Sequence, residues 1–184
     1  MNHPIFTGKL VRLTTVDFEE DFKLFDQWDS DSEYQRLLSA DAANRYGVRL
    51  SREYFEKEIA SMHFFIIRTL EDDQKIGSIS LDGFDWQVGS AWVGIGIGPR
   101  EYWGRGFGTD AMRIILRYGF SGLNLNRIQL DVFSFNARGI ASYEKAGFKH
   151  EGRLHRNLLR AGVRHDEVFM SILRREWEQM QAES

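Results

Sequence analysis

Cysteine is absent from the 184 residues, and proline occurs only twice. Without a thiol there is no thiolate nucleophile, no Fe–S cluster and no cysteine zinc site, so covalent chemistry would have to use Ser, Thr, Lys, Asp or Glu. A disulfide-stapled scaffold is excluded for the same reason, and a reducing, cytoplasmic setting is expected. No window approaches the ~18 apolar residues of a membrane span, and the N-terminus MNHPIFTGKLVRL has no basic stretch followed by an apolar one. A soluble, unsecreted protein with no membrane partner is expected. Nor does one sign of charge dominate. With 24 basic and 27 acidic side chains the net charge is −3 and the pI is near 6.0, which argues against a general grip on nucleic acid. Small molecules or proteins are the expected partners. Repeats, low-complexity stretches and linkers are also missing, so residues 1–184 are expected to form a single domain.

What the chain does have is a large apolar supply: 42% hydrophobic residues, including 14 Phe and five Trp, enough for one core. Lys9 to Thr14 reads as a strand, and Phe18, Phe22 and Phe25 then fall at helical spacing. A polar segment from Asp29 to Gly47 reads as a loop or broken helix, and Phe55, Ile59 and Met62 form a second short stripe. His63–Thr69, Lys75–Phe84 and Ser90–Gly98 read as three successive strands, with acidic or glycine-containing turns between them. From Phe107 the period changes: Ala111, Met112, Ile115, Leu116 and Gly119 line one helical face. Arg127–Phe133 is a further strand, Ala137–Lys145 a helix, and Gly147–Leu159 with Val163–Leu173 a closing hairpin. Strand–helix–strand alternation after a strand meander predicts an α/β (mixed α+β) fold built on one mixed sheet with helices on it.

Three segments carry chemistry. In Tyr102-Trp103-Gly104-Arg105-Gly106-Phe107-Gly108-Thr109, alternate glycines let the backbone turn sharply into a helix start and leave its N–H groups uncovered. That makes an anion cradle or, without a ligand, a tight strand-to-helix turn. The spacing fits neither a nucleotide-triphosphatase loop, which ends in Gly-Lys-Ser/Thr, nor the dinucleotide pattern G-x-G-x-x-G. In the strand before it, Trp92, Gly94, Gly96 and Gly98 share one face, and Ala91, Val93, Ile95 and Ile97 the other. Three glycines on one face imply close approach by a helix, a bulge or an elongated ligand. In the third segment Asn136 caps a helix, Ile140 and Tyr143 share a face, and Gly147 ends it. Tyr143 by itself reads as a packing residue.

Taken in order, these segments resemble the GNAT superfamily of acyl-CoA N-acyltransferases, most closely the ribosomal-protein N-terminal acetyltransferase group. The resemblance runs from about Lys9 to about Trp177. It implies a mixed sheet splayed into a V, with acetyl-CoA as co-substrate. Pantetheine would lie along the Gly94–Gly98 strand, with Ile95, Gly96 and Ile97 as its contacts. The pyrophosphate would sit on the N–H groups of Arg105, Gly106, Phe107, Gly108 and Thr109. Asn136 matches the position that touches the cofactor arm, Lys145 stands near the nucleotide end, and Tyr143 matches the general acid. No metal is implied. The acceptor would be an amine attacking directly in a ternary complex, foremost a protein or peptide α-amine. A small amine such as a polyamine, amino acid or aminoglycoside is the alternative within enzymes, and a non-catalytic CoA-binding module the alternative outside them. A homodimer is compatible with the resemblance.

Two positions depart from the family. Trp103 opens the loop where relatives often carry Gln or Arg, which leaves the backbone cradle unchanged. Trp92 stands where relatives often carry a Glu that assists amine deprotonation, and it would instead offer the acceptor a flat apolar wall. Neutralising a lysine amine of pKa near 10.4 at pH 7 costs about 4.6 kcal/mol, against about 1.4 for an α-amine near 8, so a site without a strong base favours low-pKa amines. Glu151, His155 and Asp131 are the other candidates for the base, and sequence position promotes none of them. His165 and Glu167 share a face expected to be a solvated edge, and the four arginines at 153, 156, 160 and 164 are expected to surround a solvated turn.

Overall fold

The structure, a computed structural model, describes residues 4–41, 57, 59 and 61–183. The strands are β1 (Val11–Thr14), β2 (His63–Thr69), β3 (Lys75–Asp85), β4 (Ser90–Ile97), β5 (Arg127–Phe133), β6 (Lys149–Arg160) and β7 (Val163–Leu173). They form one seven-stranded sheet in the order β1-β2-β3-β4-β5-β7-β6. Every neighbouring pair is antiparallel except β4 with β5. That parallel join requires a crossover, supplied by α3 (Phe107–Arg117) and a wider π turn, Tyr118–Gly122. α1 (Phe18–Asp29) and α2 (Ser32–Leu38) lie between β1 and β2, α4 (Ala137–Ala146) between β5 and β6, and α5 (Arg174–Ala182) after β7.

The strands and long helices fall where the residue pattern puts them. α2 occupies part of the segment read as a loop or broken helix, capped by the Asp31 carboxylate on the Glu33 amide. Residues 42–47 of that segment, and Phe55 of the second short stripe, lie outside the described residues. α5 is an addition that periodicity did not suggest. It is mostly polar, yet Trp177 and Met180 pack on the core, with Trp177 5.5 Å from the Phe120 ring.

The sheet has two differently dressed faces. Ala91, Val93, Ile128, Leu130 and Val132 meet Ala111, Met112 and Ile115 of α3 in the main core, all at most 7% exposed. At roughly 1.5–3 kcal/mol for each large side chain fully buried, this layer is the principal stabilising term. The opposite face of β4 is covered by α1 and α2. A Cβ at Gly98 would collide with the Trp28 indole, and one at Gly96 with the Tyr34 hydroxyl. Close approach by a helix therefore explains two of the strand's glycines. Gly94 is different: it is exposed, with only Ser80 Oγ within 4 Å of a notional Cβ.

One irregularity of the sheet opens the cleft. β4 pairs with β5 only through Ser90, Ala91 and Trp92, opposite Arg127, Ile128 and Gln129. β5 stays bonded to β7 as far as Phe133. Beyond Trp92 the two parallel strands part, and the sheet opens into a V.

Candidate active site

A cleft of about 630 Å³ runs from this opening to the start of α3, walled by β4, the loop before α3, and α4. Gly106 takes φ 92° at the N-cap of α3, a left-handed conformation that a residue with a Cβ adopts only under strain. No side chain caps the first turn of this helix, and Gly104, at φ 73°, has nothing within 4 Å of a notional Cβ. The turn thus presents backbone amides and the positive end of α3 to an open space, where an anion is stabilised.

The residues expected to hold acetyl-CoA divide in two. Ile95, Gly96, Ile97, Gly106, Gly108, Thr109, Asn136 and Lys145 line the cleft. Arg105 and Phe107 do not line it with their side chains. The Phe107 ring sits in the core against Tyr102, and the Arg105 guanidinium lies over those two rings and donates to the Glu101 carbonyl. What either can offer an anion is its backbone N–H. Asn136 uses Oδ1 to accept from the Gly139 amide, which caps α4 and leaves the amide NH₂ for the cleft. Thr109 and Ser142 are joined through their hydroxyls at 2.8 Å, and Arg113 donates to the Lys145 carbonyl, so α3 and α4 are tied along the cleft.

Sequence reasoning missed several lining groups. Lys9, Arg113 and Arg138 add positive charge to that of Lys145. Arg138 stacks 3.9 Å over the Trp103 ring, and Trp103 Nε1 donates to the Ile97 carbonyl at 2.6 Å. An N-terminal helix cradle rimmed by cations suits a pyrophosphate and a further phosphate, and the narrow opening beside β4 suits an extended arm. The residues present therefore fit acetyl-CoA, which would supply the activated acetyl thioester.

Tyr143 lines the same cleft, its ring tilted against Phe148 at 6.2 Å. Burial, with a smaller contribution from the Asp131 charge, pushes its hydroxyl up to about 12. It therefore keeps its proton across the neutral range, as an acid must.

Trp92 lies outside the cleft proper, on the other side of the opening. It shares a sheet face with Asp82 of β3, Gln129 and Asp131 of β5, and Glu167 and Phe169 of β7, as the cross-strand registers require. Its ring meets Phe169 edge-on at 6.2 Å. Glu167 departs from the solvated edge expected of it: it is half-buried, accepts from Asn157 Nδ2 at 2.5 Å, and lies within hydrogen-bonding reach of the Asp131 carboxyl. Burial first, and the Asp131 carboxyl second, raise its pKa. Asp82 is raised too, by burial and then by Asp131, against a hydrogen bond from Ser80. Trp92 thus forms part of an aromatic wall beside three carboxyl groups.

The remaining candidates have structural partners. Glu151 is held low by Ser171 and Arg127, and His155 pairs with Asp166 at 3.5 Å. Arg153 also meets Asp166, while Arg164 donates to the Arg156 carbonyl. Arg160 donates to the carbonyls of Arg36, Ser39 and Asp41, fastening the end of α2 to the hairpin. No helix among the described residues is long and apolar enough to cross a membrane.

Comparison with known proteins follows the same lines. Residues 11–149 match the model of the acetyltransferase (GNAT) domain. The chain is 37% identical to the uncharacterised N-acetyltransferase p20 of Bacillus licheniformis over 61% of its length, a match that spans 63% of that protein. It is 33% identical to the putative ribosomal N-acetyltransferase YdaF of Bacillus subtilis over 67% of each chain. With the spermidine N(1)-acetyltransferase of Escherichia coli K12 it shares 29% identity over 86% of this chain and 83% of that one. The crystal structure of spermidine N-acetyltransferase from Vibrio cholerae, in complex with CoA and spermine, superposes with a TM-score of 0.81 at 23% identity, covering 91% of this chain and 98% of the other.

Proposed function

The chain belongs to the GNAT family of acetyl-CoA-dependent N-acetyltransferases, and from that premise we propose that it acetylates a small cationic amine of the polyamine class. The observation that carries the choice of acceptor is the face beyond the opening, where Asp82, Asp131 and Glu167 stand beside Trp92 and Phe169. Carboxylates attract an ammonium chain, and aromatic faces hold its charged ends by cation–π attraction. The similarity to a spermidine N(1)-acetyltransferase over most of both chains supports the same reading.

In this reading the loop amides from Arg105 to Thr109 hold the pyrophosphate, with Lys145 and Arg138 near the other phosphate. Ile95 to Ile97 align the pantetheine, and the Asn136 amide group steadies it. The acceptor nitrogen attacks the thioester carbon from the Trp92 side, and the Tyr143 hydroxyl stabilises and protonates the departing sulfur from the cleft side. Residues 1–184 act as one catalytic domain.

An α-amine at a protein N-terminus is the second reading, favoured by the similarity to the putative ribosomal enzyme YdaF. The test is an amine panel with acetyl-CoA, following release of CoA thiol. Spermidine or spermine should outpace peptides bearing a free α-amine. Turnover confined to peptides would transfer the assignment to the second reading, and absence of turnover on any amine would leave a CoA-binding module.

A further inference from the structure

The family's usual helper for amine deprotonation is missing at Trp92, yet a polyamine nitrogen is largely an ammonium at neutral pH and must lose a proton before it can attack. The groups available are those that face the acceptor side of the opening. Asp131 stands on that face of β5, two residues beyond the last β4–β5 pair, and is exposed. Glu167 stands diagonally behind it on β7, because Phe133 pairs with Glu167 and Asp131 with Phe169. Asn157 on β6 donates to Oε2 of Glu167. Tyr143 reaches the same opening from α4 on the opposite side, close enough for the Asp131 charge to act on its hydroxyl. An amine and the thioester it attacks, placed between them, would have a proton acceptor on the nitrogen's side and a proton donor to the departing sulfur on the other.

We propose that Asp131 is the catalytic base of this enzyme, with Glu167 as the positioning residue behind it, so that a carboxyl pair on β5 and β7 replaces the glutamate absent from β4. The inference rests on the acetyl-transfer reading given above. Burial first, and the Asp131 carboxyl second, raise Glu167, so Glu167 holds a proton more readily than a free carboxyl does and can donate it towards Asp131, orienting that carboxylate. The charged and titratable groups around the pair are Asp82 from β3, Tyr143 from α4 and His165 from β7. Arg160 and Arg36 lie over the neighbouring Phe133 and Phe135 rings. Both arginines are engaged elsewhere, Arg160 with three carbonyls and Arg36 with Glu33.

The step balances as follows. An ammonium proton passes to Asp131, the freed lone pair forms the C–N bond at the thioester carbon, and the C–S bond then breaks. The thiolate takes the Tyr143 proton, and the second proton lost by the nitrogen, carried through water, restores Tyr143. Asp131 returns its proton to solvent.

The test is kcat/KM against pH for two acceptors of different amine pKa, spermidine and a peptide α-amine, in wild type, Asp131→Asn and Glu167→Gln. Wild type should show one ascending inflection shared by both acceptors. Asp131→Asn should lose that inflection and about 10²-fold of the rate, with its remaining profile following the acceptor's own pKa. Glu167→Gln should move the inflection to lower pH while keeping more activity than Asp131→Asn. Acetyl-CoA affinity by calorimetry should be unchanged in both and reports folding. Should Asp131→Asn fail to bind acetyl-CoA, the Glu167→Gln profile decides: an inflection that stays in place overturns the proposal. Profiles in wild type that track each acceptor's amine, or an Asp131→Asn enzyme with the wild-type profile, overturn it as well. Wild-type protein inert on every amine would instead defeat the underlying acetyl-transfer reading.

Discussion

At the residue scale, the side chains with the plainest chemical tasks are Tyr143 and Trp92. Burial keeps the Tyr143 hydroxyl protonated well beyond neutrality, with its ionisation pushed up to about 12. Tyr143→Phe removes only that hydroxyl, so turnover should fall by about 10²–10⁴ while the acetyl-CoA dissociation constant measured by calorimetry stays put. For the same reason, the wild-type rate should show no falling limb from this group below about pH 10. Trp92 is tested differently, because its contribution is a surface rather than a proton. Its ring stands against Phe169 on the acceptor side, where a cation–π contact with an ammonium is worth about 0.5–2 kcal/mol. Trp92→Ala should therefore raise the acceptor KM by roughly 2- to 30-fold while acetyl-CoA affinity is kept. A fall in acetyl-CoA affinity of the same size would mean that the indole mainly supports β4.

Among the elements, the α3 turn and the α1–α2 pair matter most, since one makes the anion cradle and the other closes the opposite face. At Gly106 a Cβ would be forced into the left-handed region, costing about 1–2 kcal/mol. Gly106→Ala should accordingly lower the melting temperature and weaken acetyl-CoA together, whereas a variant that loses stability alone would make the turn a structural device only. α2 is held against the cleft wall by the Asp31–Arg100 pair, whose two contacts are 2.5 and 2.6 Å. Hydrogen bonds from Arg100 are the main reason that the Asp31 carboxyl falls to about 2. A folded value below the unfolded one, near 3.9, contributes stability that is complete above about pH 4 and lost as pH falls towards 2. Asp31→Asn keeps a competent N-cap and removes the charge. The melting temperatures of wild type and variant should differ at pH 6 and converge by pH 2; a gap that persists at pH 2 would assign the difference to capping.

For the whole molecule, the decisive feature is the parting of two parallel strands after Trp92, and it shows how far residue patterns reach. The bounds of β2 and β5 coincide with the runs His63–Thr69 and Arg127–Phe133, because turn chemistry and apolar alternation both stop there. The glycine loop, the Asn136 cap and the Gly147 stop were equally legible, being local signals. The partners of Gly96 and Gly98 were not, since Trp28 and Tyr34 come from helices far upstream. In the sequence Asp131 is one of three undistinguished candidates for the base and Glu167 reads as a solvated edge, because only the β5–β7 register brings the two together; α5 escapes the residue pattern because Trp177 and Met180 make too thin a stripe. The opening itself leaves the edge of β4 from Val93 to Ile97 unpaired by β5. If acetyl-CoA fills it, two consequences should appear together. Ligand at about 100 times its dissociation constant should add roughly 2.7 kcal/mol of stability. Hydrogen exchange should slow at the amides of Gly94 to Ile97 and of Gly106 to Thr109, while β6, an outer strand remote from the cleft, serves as the unprotected control. Spermidine alone should leave the Gly106 to Thr109 amides unchanged, because a cation has no affinity for the positive end of α3. Protection spread evenly over the sheet would instead indicate a global tightening, and the V would then not be the binding groove.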